Sequence, residues 1–206
     1  MTVLLSDDRI SRIPAVENGE PLVDLFTRGI STRDQQFVRE GVADRLATAD
    51  AFLPSGVRLH VVEGLRPLEI QQDIYANYRA ELERLHPGSA GHDLDALTSR
   101  FVAPVDVAPH VAGAAVDLTL IGAHGPLDLG TPIDATPEQS NGACFFDAAT
   151  ISRDARTNRA LLADVLTAAG LVNYPTEWWH WSYGDRYWAF VEDRDHALYG
   201  PVSSRA

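Results

Sequence analysis

One carboxylate inside an apolar run constrains this chain more than any other feature. Residues 114–121 read Ala-Ala-Val-Asp-Leu-Thr-Leu-Ile, the composition of a buried strand, with Asp117 at its centre. An ionised acid in an apolar interior needs a partner, and a metal is a strong one. His110 precedes this run, delivered by the Pro-punctuated stretch Pro104–Pro109, which cannot form a regular helix. In a straight strand the seven-residue spacing would hold His110 about 23 Å from Asp117, so the two converge only if the chain bends at Gly113.

A second stretch, Glu177-Trp178-Trp179-His180-Trp181, adds a carboxylate and an imidazole. Three residues apart, they would face opposite sides of a flat strand, so a turn or bulge must bring them together. His110, Asp117 and His180 then offer three ligands, with Glu177 beside them as a base. That is the inventory of a catalytic zinc site with an open position for water. Glu177 has two other readings, a fourth ligand or a carboxylate orienting a histidine. Cys144 is the sole cysteine, which excludes a Cys-rich zinc site and an intramolecular disulfide. His60, His86, His92, His124 and His196 read as ordinary hydrogen-bonded or surface imidazoles, and Trp178, Trp179 and Trp181 as core and pocket wall.

The rest of the chain predicts one α+β domain over residues 1–206, with early helices and a later antiparallel sheet. Residues 1–30 form an irregular arm with a short strand near Leu22–Phe26. A helix is expected from Thr32 to Phe52, capped by Ser31 or Thr32, and a strand over Val57–Glu63. Arg66 falls at the following strand-to-helix junction, where it could also pair with Glu63 or Glu69. Pro67 opens a helix to about Leu85, and a short helix follows over residues 92–101. The Gly-, Pro- and Asp-rich stretch Gly122–Cys144 is long enough to suggest a functional loop. A helix from Ser152 or Asp154 to Ala169 ends at Gly170, and Leu171–Tyr174, Trp178–Tyr183 and Tyr187–Val191 read as closing strands.

A net charge of -12, from 29 acidic and 17 basic residues, repels phosphate backbones and anionic membranes, which argues against nucleic-acid partners. No apolar run approaches a membrane span. The first twelve residues show neither a basic run nor a small-residue cleavage site, so a cytoplasmic location is expected. Oligomeric state has no signature in the sequence.

His110-x-x-Gly113-x-Ala115-x-Asp117, then Glu177-x-x-His180 about sixty residues on, with Arg66-Pro67 upstream and residues 128–134 between, resemble the zinc D,D-peptidases. Within them the pattern is most similar to the D-alanyl-D-alanine dipeptidases of the vancomycin-resistance type. The resemblance implies a small antiparallel sheet flanked by helices, with one zinc on the sheet held by His110, Asp117 and His180. It further implies Glu177 as the base and Arg66 as the residue polarising the scissile carbonyl. Asp134, otherwise a loop-turn aspartate, would receive the ammonium of a dipeptide substrate. The family's serine two residues before the first histidine is replaced by Ala108, removing a hydroxyl expected at the substrate pocket. Hydrolysis of D-Ala-D-Ala-like dipeptides by water activated at the zinc is the activity implied. The alternatives are a D,D-carboxypeptidase or endopeptidase acting on longer cell-wall peptides, and a zinc-stabilised binding module without catalysis.

Overall fold

A computed structural model describes residues 2–89 and 91–202. The first half of the chain runs through α1 (Asp8–Ser11), β1 (Leu22–Asp24), β2 (Ser31–Thr32), β3 (Phe37–Arg39), α2 (Glu40–Phe52) and β4 (Arg58–Glu63). Then come α3 (Leu68–Leu85), α4 (Gly91–Thr98), β5 (Ala115–Gly122) and β6 (Gly125–Pro126). The last third holds α5 (Arg153–Ala168), β7 (Val172–Asn173), β8 (His180–Ser182) and α6 (Arg186–Val191). No helix among the described residues is long and apolar enough to cross a membrane.

β5 is the axis of the main sheet, whose order is β2-β4-β5-β8-β7, with β6 folded back on β5. Every pairing is antiparallel except the β2 edge, which lies parallel to β4. Val116, Leu118 and Leu120 alternate onto one face and are fully buried in the main core with Leu46 of α2 and Leu162 and Leu166 of α5. Burying each such leucine is worth roughly 1.5–3 kcal/mol. This burial pins the register, because a slip of one residue would turn Asp117 into the core and the leucines out of it. Asp117 therefore faces the other side, aligned with Glu63 on β4 and with His180 on β8. A register shift between Val61 and Glu63 brings Glu63 into that row.

Helix α5 begins and ends where the sequence predicts. The Ser152 hydroxyl accepts from the Ala155 amide at 2.9 Å, and Gly170, at φ 86°, releases the chain into β7. Helices α3 and α4 pack through Tyr78, Leu82, Leu94 and neighbouring apolar residues.

Two predicted elements differ. The helix expected from Thr32 starts at Glu40, because Ser31 and Thr32 join β4 as an edge strand and Phe37–Arg39 pairs with Leu22–Asp24. Buried Arg39 fastens that small sheet, donating to the carbonyls of Ala112 at 2.9 Å and Glu20 at 2.7 Å. The strand expected at Tyr187–Val191 is instead the helix α6. Asp185 accepts from the amides of Tyr187 and Trp188, and this N-cap overrides the strand preference of the aromatic residues.

Candidate metal centre

His110 reaches the sheet through a single tight turn. Pro109–Ala112 forms a 3-10 turn closed by Gly113 in the left-handed region at φ 65°, and a Cβ at Gly113 would lie 2.7 Å from Leu22 Cδ2. The predicted bend is thus present. Glu177 and His180 are joined by a second turn, in which the Glu177 amide donates to the Tyr174 carbonyl and the His180 amide to the Glu177 carbonyl. Asn173 clasps it, its side-chain amide donating to the carbonyls of Glu177 and His180, both at 2.9 Å.

These turns leave three ligand atoms facing one another. His180 Nδ1 lies 3.1 Å from both His110 Nε2 and Asp117 Oδ1, and His110 Nε2 lies 3.4 Å from Asp117 Oδ1. Tetrahedral ligands at the usual 2.0–2.2 Å from zinc stand roughly 3.3 Å apart, so the spacing suits a cation between them. His110 Nδ1, 2.8 Å from the Gly64 carbonyl, is the donor to it in the neutral ring, which leaves Nε2 as a lone pair. A proton on His180 Nδ1 satisfies either His110 or Asp117, whereas a shared cation satisfies all three. They are nearly inaccessible, at 4%, 3% and 5% exposure, where an unmatched lone pair is costly. Among the described residues they are the one group of three or more His, Cys, Asp or Glu side chains close enough to share a metal.

The electrostatics separate the carboxylates. Burial alone would raise the Asp117 pKa, but the neighbouring His110 and His180 hold it well below the ordinary range. Burial, reinforced by the charge of Asp117, pushes Glu177 well above it. Glu177 Oε2 lies 3.7 Å from His180 Nδ1. Asp134 lies at the mouth, with an exposed residue surface and a left-handed φ of 65°. Partial desolvation and the charges of Asp117 and Glu63 raise its carboxyl to about 6.

All six predicted site residues, His110, Asp117, His180, Glu177, Arg66 and Asp134, line one cavity of about 270 Å³. Arg66 is paired with Glu63 rather than Glu69. Its Nε and one terminal nitrogen donate to the two Glu63 oxygens at 2.7 and 2.5 Å, and the other terminal nitrogen donates to Gln71 Oε1 at 2.7 Å. Glu63, Gln71 and Tyr174 line the cavity too, and sequence reasoning had not placed them there. Glu63 carried a signal, since it ends an alternating strand three residues before Arg66. Ala108 does not line this cavity. It is 6% exposed and borders a separate narrow cleft with Asp185 and Tyr199, so the missing hydroxyl falls outside the pocket wall.

Two buried imidazoles and a buried carboxylate close enough to share a metal, with Glu177 and Arg66 lining the same cavity, have the make-up of a metal-dependent hydrolase site. The D-Ala-D-Ala dipeptidase profile of the M15 peptidases matches residues 23–197. The chain belongs to that family and is a metallopeptidase. A D-alanyl-D-alanine dipeptidase of Synechocystis sp. is 27% identical over 92% of this chain and 95% of its own length. A D-alanyl-D-alanine dipeptidase of Escherichia coli is 38% identical over a shorter stretch, 34% of this chain and 35% of its own. The solved structure of VanYB in complex with D-Alanine-D-Alanine is 16% identical, with a TM-score of 0.48 and 88% of each chain covered.

Proposed function

We propose that the protein is a zinc-dependent dipeptidase that hydrolyses the peptide bond of short dipeptides containing D-residues, D-Ala-D-Ala being the model substrate. The observation that carries this reading is the mutual 3.1–3.4 Å spacing of His110 Nε2, Asp117 Oδ1 and His180 Nδ1 beside Glu177. One zinc held there would supply a Lewis acid that acidifies water and polarises the scissile carbonyl. Glu177 takes a proton from the attacking water and passes it to the leaving amine, acting as base and then as acid. Arg66, held by Glu63 and Gln71, donates to the developing oxyanion from a fixed position. Asp134 receives the substrate's ammonium at the mouth.

The small cavity favours a dipeptide over a longer cell-wall peptide. At about 270 Å³ it lies just under the roughly 300 Å³ at which ligand pockets usually begin. A panel of D,D-, L,D- and L,L-dipeptides, assayed with zinc and with chelator, tests the reading. Chelator-sensitive hydrolysis of the D,D-peptide is expected, and no hydrolysis of any peptide by zinc-loaded protein would contradict it.

A further inference from the structure

The amino-terminal arm, without a role in the sequence, forms part of the wall of this cavity. Leu5 lines it and is 3% exposed. The Leu5 amide donates to the Tyr174 hydroxyl at 3.1 Å, and that hydroxyl donates to the Ser99 carbonyl. The next amide, of Ser6, donates to Ser99 Oγ at 2.8 Å. Asp7 caps α1, whose Ile10 is fully buried, and Arg186 Nε donates to the Ile13 carbonyl at 2.9 Å. The arm is thus anchored at Leu5 and over the residues that follow it. It also precedes residues 23–197, the span that carries the family's pattern.

The apolar lining of the cavity comes from three packing clusters: Trp179 from the main core, Ile74 and Val102 from the α3–α4 cluster, and Leu5, Ala103 and Tyr174 from a cluster with Val107 and Tyr187. A dipeptide anchored by its ammonium at Asp134, with its carbonyl at the metal centre, projects its second residue away from Asp134. We propose that Leu5 bounds the pocket for that second residue, the one carrying the leaving amine, and sets the largest side chain accepted there. This assignment rests on the dipeptidase reading above.

The test is calorimetric binding of D-Ala-D-Ala and D-Ala-D-Leu to zinc-loaded Glu177→Ala protein, alone and combined with Leu5→Ala or Leu5→Phe. Binding separates pocket size from turnover, and melting curves check that each variant is folded. Leu5→Ala should shift the ratio of the two Kd values at least roughly tenfold toward D-Ala-D-Leu, the low end of the effect of one methylene group in an apolar pocket. Leu5→Phe should shift it the other way. An unchanged ratio in both folded variants overturns the assignment of Leu5 alone. If neither peptide binds any form, the dipeptidase reading falls and the assignment falls with it.

Discussion

Two buried polar centres of the molecule, one around Arg159 and one around Asp117, are built in opposite ways. Arg159, 1% exposed, is closed: its nitrogens donate to the carbonyls of Leu129, Phe145, Phe146 and Ala143 at 2.6–3.0 Å. The metal centre is open. His110, Asp117 and His180 turn their ligand atoms toward one another, and with both imidazoles neutral the single proton on His180 Nδ1 cannot pair all three. A buried polar group whose partners are all within the chain holds architecture together. One whose partners are incomplete marks where something else binds. Arg159 knots the long loop that carries Asp134, so the closed centre holds in place a wall of the open one.

The comparison breaks most sharply if each centre fails in its own manner. Glu177→Ala is expected to lower kcat by about 10²–10⁴-fold, the usual contribution of a positioned base, while leaving zinc content and melting temperature near wild type. Loss of zinc in this variant would move Glu177 into the coordination shell. Arg159→Met should do the reverse. It strands carbonyls in the interior and is expected to cost on the order of 3 kcal/mol in chemical denaturation, with no direct effect on the chemical step. A stability change below 1 kcal/mol would show that the knot is not structural.

A smaller effect sharpens the link between the centres. Asp134→Asn should raise KM for D-Ala-D-Ala about tenfold, as expected for one charge-assisted hydrogen bond, with little change in kcat. The sign of the pH effect follows from its raised pKa. The carboxyl is anionic above about 6 and takes up a proton as the pH falls through that value, losing its attraction for the ammonium. KM in the wild type should therefore rise at acidic pH, and the asparagine variant should lack that limb. A limb that persists in Asp134→Asn assigns the titration to another group.

Legibility from the sequence followed the range of the forces involved. Gly113 marks a bend because glycine enters the left-handed region most readily, and Ser152 marks the start of α5 because its cap is local. Asp117 stood out because an acid in an aliphatic run is costly unless partnered. Interactions distant in sequence left no such mark. The pairing of β1 with β3 shortened a predicted helix, and Asp185 turned an aromatic run from strand to helix. Arg159 reads as one more polar residue on an amphipathic helix until the loop carbonyls are seen around it. Leu5 looked like part of an irregular arm, and its place in the cavity depends on a hydroxyl 169 residues away.

The most direct measurement is a zinc titration of chelator-stripped protein, read by metal content and by melting temperature together. One zinc per chain is expected, with a higher melting temperature on binding, and loss of both in Asp117→Ala and His180→Ala with retention in Glu177→Ala. Zinc bound as tightly by Asp117→Ala as by the wild type would contradict that expectation.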